Sequence, residues 1–237
     1  MAVGAALALI ERKRVRAITG MPYTSSMKTH TLMRLAGLSA VAAGLCFVIV
    51  GLFHPINAPE SVITATWINV HIAAVLLCFF GTFGITGLYL RQAQESGWLG
   101  LIGYALFCIW FAAVMCFSLV EAFILPTLAT EAPRFVEGFL GMFSGAASAV
   151  DLSVLPLIWA ISGPAYILGQ LLFGIATFRA RVFPRYAGIL LAVAAVLTPM
   201  GGLVPPEHQP LVMVPVGIAF AWLGYALWSE RVRSGLL

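Results

Sequence analysis

Two histidines and one glutamate are the residues of this sequence best suited to chemistry. His54 stands before Pro55 at the end of a long apolar run, and His71 lies a few residues into the next apolar run. Glu121 lies near the far end of a third run. Imidazole together with carboxylate suits zinc, iron or copper, and two imidazoles on neighbouring helices can also hold a haem axially.

These three residues should lie at similar depth if the apolar runs are helices that cross a membrane. Counted from the glycines near the start of their runs, Gly37 and Gly100, the positions of His54 and Glu121 differ by about one helical turn. An ionised glutamate facing lipid costs several kcal/mol, so Glu121 should face the bundle, water or a partner chain.

We therefore expect an outer-facing polar pocket in which His54 and His71 bind a metal or haem, with Glu121 as third ligand or proton acceptor. A haem would imply a redox or electron-transfer role. Two alternatives have no catalytic chemistry: the same residues hold helices together in a structural or interaction subunit, or they belong to a proton or solute pathway. A hydrolase is a weaker alternative, because the sequence has no H-x-x-x-H or H-E-x-x-H pair.

Other polar residues extend this candidate site. Asp151 and His208 fall in outer connections and are candidate ligands or acceptors for a histidine N–H. Ser162, Tyr166 and Gln170 are four apart in one apolar run, which puts them on one helix face. They either line a cavity leading inward from the histidines or join helices to each other. The four cysteines all lie inside apolar runs and indicate helix packing rather than a disulfide framework.

The composition indicates that lipid covers most of the surface. Of 237 residues, 61% are hydrophobic and only 9% are charged, with a mean hydropathy of +1.00. Soluble domains carry about 25% charged residues. The basic residues stand in short clusters beside apolar runs, which argues against a nucleic-acid-binding face. The expected partner is the lipid bilayer, and a homo-oligomer or a partner chain in a membrane complex is left open.

The fold class predicted from these runs is an all-α polytopic membrane protein with six transmembrane helices arranged as three hairpins. Backbone groups in lipid must pair within their own segment, so the spans are helical. A short interfacial helix is expected in the small-residue stretch 134–150, between spans three and four. The predicted spans cover residues 32–53, 65–90, 98–125, 152–178, 186–204 and 210–228.

The distribution of basic residues predicts the orientation. Of the 13 lysines and arginines, only Arg134 falls on the side opposite the others. This bias predicts that both termini lie in the cytoplasm. Residues 1–30 form a cytoplasmic basic tail, and residues 31–237 form the six-span domain.

A weak internal repeat accompanies the spans. Each even-numbered span ends with a glycine seven residues before an arginine, at 84 and 91, 174 and 181, and 224 and 231. The chain from Leu32 to Glu230 also resembles bacterial six-helix membrane proteins of the domain-of-unknown-function type. The matching pieces are G-L-F-H-P, V-E-A-F-I-L-P and F-R-A-R-V-F-P-R-Y-A-G, which begin at Gly51, Val120 and Phe178. The resemblance implies a multi-pass protein with six helices in the bacterial cytoplasmic (inner) membrane, and it implies no particular activity.

Overall fold

A computed structural model describes residues 24–230, and side chains from Thr29 onward. The described residues are helical and contain no strand, which confirms the all-α prediction. Five of their helices are long and apolar enough to cross a membrane, as expected of a multi-pass membrane protein. Of the predicted tail, residues 1–30, the structure describes only residues 24–30, which belong to the first helix. The chain divides into two units between Leu32 and Met33, and all packing described below lies within the second unit.

The helices follow the chain in this order. The elements are α1 (Thr24–Phe53), α2 (Pro59–Val62), α3 (Ala65–Leu119), a π-helical turn (Val120–Ile124), α4 (Leu125–Glu131), α5 (Pro133–Met142), α6 (Leu155–Ala180), α7 (Arg185–Met200), two 3₁₀ segments (Gly201–Leu203 and Pro206–Val212) and α8 (Met213–Ser229). The stretch predicted as one interfacial helix contains α5 and the loop that follows it.

Helix α3 reverses direction at Gly97, where the backbone is not helical (φ 55°, ψ −152°). The two parts of α3 consequently pack against each other. The rings of Tyr89 and Tyr104 stack with centroids 4.7 Å apart, and Thr86 and Tyr104 share a hydrogen bond of 3.2 Å. Glycine suits this turn, because side chains strain in that region of φ and ψ.

Small residues set the closest helix contacts. A side chain at Gly37 would meet the backbone of Gly224, and one at Gly44 would meet the backbone of Gly217, so α1 and α8 touch backbone to backbone. Gly174 of α6 lies equally close to the backbone of Gly188 in α7. In lipid the hydrophobic effect does not drive helices together. Van der Waals contact at such close approach stabilises their packing instead.

The core has two apolar clusters. The larger contains aromatic side chains of several helices, including Phe47, Phe107, Phe111, Phe173 and Phe220. The smaller lies around Trp67, Phe117 and Phe139, beside α2, α4 and α5. Below, the His54 end is the end of the bundle that carries His54, and the Arg91 end is the opposite one. The smaller cluster lies at the His54 end.

Candidate functional site

The structure brings His54, His71 and Glu121 together at the His54 end. The imidazole rings of His54 and His71 lie 5.0 Å apart between centroids, edge to face. Nε2 of His71 lies 3.4 Å from Oε2 of Glu121. His71 is 2% exposed and Glu121 is 7% exposed, so the pair is shielded from bulk solvent, while His54 is partly buried.

Backbone carbonyls fix both imidazoles in the same way. His71 Nδ1 donates to the Trp67 carbonyl oxygen at 2.8 Å, and His54 Nδ1 donates to the Pro55 carbonyl oxygen at 2.7 Å. A carbonyl can only accept, so each Nδ1 carries the hydrogen. In the neutral state each Nε2 then presents a lone pair. His71 Nε2 has no properly aligned hydrogen-bond partner within the protein.

Glu121 is presented by the π-helical turn Val120–Ile124. In this turn the Leu125 N–H donates to the Val120 carbonyl, one residue further back than in an α-helix. The same pattern would pair the Glu121 carbonyl with residue 126, but Pro126 has no N–H. The indole N–H of Trp67 donates to this carbonyl instead, at 2.8 Å. A proline and a distant tryptophan therefore hold the turn that carries the carboxylate.

Trp67 also packs against both histidines. Its ring centroid lies 4.2 Å from that of His71 and 6.0 Å from that of His54. Trp67 is fully buried. Nothing in the spacing of residues 67 and 121 in the sequence indicated their contact.

Burial lowers the pKa of His54 from its usual range. The neighbouring His71 lowers it further, while the charge of Glu121 and the hydrogen bond to the Pro55 carbonyl act in the opposite direction. Desolvation disfavours the charged imidazolium, so the neutral form of His54 is favoured at neutral pH.

The two other predicted ligands lie in different surroundings. Asp151 Oδ1 accepts from the backbone N–H of Ser153 at 2.7 Å, within its own loop. The His208 side chain is 59% exposed, and its Nδ1 lies 3.7 Å from the carboxylate of Glu207. Each is engaged by a residue near it in sequence, and no described contact joins either one to the histidine pair.

No protein-family model, curated protein or solved structure matches this chain.

The geometry of the two histidines disfavours an axial haem. Two imidazoles on opposite faces of one haem iron have ring centres about 6 Å apart, since each Fe–N bond is about 2 Å. The observed 5.0 Å edge-to-face contact leaves no room for a porphyrin between the rings. Two imidazoles bound to a single tetrahedral ion would have centres about 5 Å apart. Among the described residues, however, no three His, Cys, Asp or Glu side chains converge on one metal position.

The three residues predicted on the α6 face are all buried. Ser162 Oγ donates to the Trp159 carbonyl of its own helix at 2.8 Å. The Tyr166 ring stacks on Trp110 with centroids 4.1 Å apart, and its hydroxyl has no partner within the protein. Neither polar atom of Gln170 has a partner within the protein either.

Proposed function

We propose that the chain is a six-span membrane protein of the transport class that takes up and releases a proton at the His71–Glu121 pair. In this proposal α3 counts as two spans, separated by Gly97. The bias of basic residues puts the Arg91 end in the cytoplasm and the pocket at the outer face. The observation that carries the proposal is the buried His71 Nε2 facing the Glu121 carboxylate at 3.4 Å.

Both groups are buried, and their geometry is complementary for one proton. A protonated Nε2 donates to the carboxylate, and a protonated carboxyl group donates to Nε2. The contact of 3.4 Å is longer than the 2.7–2.9 Å of a strong charge-assisted bond.

His54 suits the role of entry group in this proposal. It is partly exposed, its ring touches His71, and its low pKa makes it a weak proton acceptor that passes the proton on. An ionisable group within a membrane bundle that faces the interior and has a titratable partner is typical of proton relays.

Infrared difference spectroscopy of the protein in lipid tests the proposal. We expect a carboxylic acid C=O band that grows on acidification, disappears in Glu121→Gln and shifts in His71→Gln. Glu131→Gln is the matched control, because Glu131 is an exposed carboxylate on α4 at the same end. A spectrum with no band sensitive to Glu121→Gln at any pH would refute proton exchange at this pair.

A second candidate function is the binding of a transition-metal ion by His54 and His71. The supporting observation is that both Nδ1 atoms donate to backbone carbonyls, an arrangement that orients ligating histidines in metal sites and leaves Nε2 free. An ion bound by the two imidazoles would complete its coordination with water or with Glu121. Chemistry of iron, copper or zinc at the outer face would follow.

Elemental analysis of detergent-purified protein, without added metal, tests this candidate. Near-stoichiometric iron, copper or zinc that is lost in His71→Gln would support it. Metal-free folded protein that also binds no added Zn²⁺ would refute it. The Asp151→Asn variant is the control, since Asp151 is bound to its own loop and should leave metal content unchanged.

A further inference from the structure

Every buried side-chain polar atom that lacks a partner within the described protein belongs to one of two helices. The atoms come from five residues. They are Nε2 of His71, Oε1 of Gln92 and Oγ of Ser96 on α3, and the hydroxyl of Tyr166 with both polar atoms of Gln170 on α6. A random scatter of packing defects would involve the other helices as well.

On α3 these residues share one face. His71, Cys78, Ile85 and Gln92 are seven apart, all are 2% exposed or less, and Ser96 follows one turn later. The distance along the axis from His71 to Gln92 is about 32 Å, at about 1.5 Å per residue. The hydrocarbon core of a bilayer is about 30 Å thick. The face therefore extends across the membrane from the proposed proton site.

Helix α6 carries polar side chains at the level where the buried face of α3 is apolar. The Gln92 amide donates to the Thr177 hydroxyl at 3.0 Å, which sets the register of the two helices near the Arg91 end. Both helices run in the same direction, so Gln170 lies near the level of Ile85, the apolar position on the α3 face. Tyr166 lies one turn nearer the His54 end, where its side chain points back toward the helix N-terminus.

The unpartnered buried polar atoms of α3 and α6 require hydrogen-bond partners. Leaving one buried polar group unsatisfied weakens an equilibrium about tenfold. Apart from Nε2 of His71, which faces Glu121, the described residues carry five such atoms. That combined penalty equals the whole stability of a typical domain. In lipid, where no outside solvent can reach the core, internal water is the partner that can both donate to and accept from these groups.

We infer that Tyr166, Gln170, Gln92 and Ser96 line a file of buried water that carries protons between the His71–Glu121 pair and the Arg91 end. The inference rests on the proposed function, and it names the proton as the transported ion. In each hop one O–H or N–H bond breaks as the next forms, and nothing is oxidised or reduced. The Tyr166 hydroxyl can donate and accept in turn, whereas the amides of Gln170 and Gln92 only orient water.

Proton flux through the full chain in liposomes tests this pathway. The vesicles carry an internal pH dye, and a potassium gradient with valinomycin supplies the driving force. We expect Tyr166→Phe and Gln170→Met to lower the flux about tenfold each, the equivalent of one lost hydrogen bond in the path. Thr198→Val is the control, because Thr198 bonds only back to the Ala194 carbonyl of α7.

The outcomes separate this inference from the proposed function. Flux that is lost in Glu121→Gln and unchanged in Tyr166→Phe and Gln170→Met would refute the file and leave the proton site intact. Wild-type flux no greater than that of protein-free vesicles would also refute the file. The infrared band of Glu121 is measured separately, so its absence would refute the proposed function.

Radiolytic hydroxyl-radical labelling tests the water itself. Radicals form from bound water, so Tyr166 should be labelled well above Phe139, which is also buried and belongs to the smaller apolar cluster. Labelling of each residue is normalised to that in unfolded protein. Equal protection of Tyr166 and Phe139 would overturn the inference, whatever the flux.

Discussion

Replacing Gly44 with alanine should push α1 away from α8 and destabilise the bundle. An added Cβ at Gly44 would lie 2.5 Å from the carbonyl oxygen of Gly217, 2.6 Å from the backbone nitrogen of Ala221 and 2.9 Å from the Ala221 Cβ. Ordinary contacts of carbon with these atoms are about 3.3–3.6 Å. The helices must therefore separate by nearly 1 Å, because two of the three atoms are backbone and cannot rotate away.

The expected cost follows from this separation. Overpacking of a close-packed interface costs about 1–3 kcal/mol, and the better helix propensity of alanine returns about 0.5–1 kcal/mol. We expect Gly44→Ala to lower the free energy of unfolding by about 1–2 kcal/mol. His54 directly follows α1, so the same separation should also weaken the contact between His54 and His71.

Reversible unfolding in mixed SDS micelles, followed by tryptophan fluorescence, measures the effect. Gly202→Ala is the matched control, because a Cβ at Gly202 meets nothing within 4 Å and the backbone there has no positive φ. Equal stability of the two variants would show that α1 and α8 do not touch at Gly44 and would refute the small-residue contact there.

Three further predictions concern the turn, the π-helical segment and the titration of His54. Gly97→Ala should lower the free energy of unfolding by about 1–3 kcal/mol through backbone strain alone, because the φ of Gly97 is +55° and a Cβ there meets nothing within 4 Å. The same SDS titration measures this loss. Trp67→Phe removes the donor to the Glu121 carbonyl and should cost about 1–3 kcal/mol, with a shift in the Glu121 infrared band. The pKa of His54 is lowered in the folded state. The contribution of His54 to folding stability is therefore complete above the unfolded pKa of about 6.5 and is lost as pH falls below that value. His54→Gln should flatten this loss, and a slope unchanged by His54→Gln would contradict the assignment.

The sequence by itself indicated an all-helical membrane protein and the end of its first long helix. A chain with 9% charged residues cannot cover a soluble surface, so long apolar helices followed from composition alone. The end of α1 at Phe53, one residue before His54-Pro55, agrees with the predicted boundary because proline stops a helix. Depth counting along helices of fixed rise also indicated that His54 and Glu121 lie at one level.

The contacts within the site depended on tertiary structure. Helical spacing gives depth and face along one helix, but it does not say which faces of separate helices meet. The contact between the Trp67 indole and the Glu121 carbonyl joins residues 54 positions apart, and it depends on a π-helical turn that only packing reveals. The predicted roles of Asp151 and His208 relied on shared depth alone, and the structure engages both within their own loops.

The polar face of α3 could be predicted from the sequence only in part. The spacing of His71, Cys78 and Gln92 is visible in the sequence, but seven-residue spacing occurs equally on faces that contact lipid or partner helices. Only the packed bundle shows that this face is buried and that Gln92 bonds to Thr177 of α6. Periodicity is a property of one helix, whereas burial depends on which helix packs against it, and that choice is made by the shapes of all the helices together.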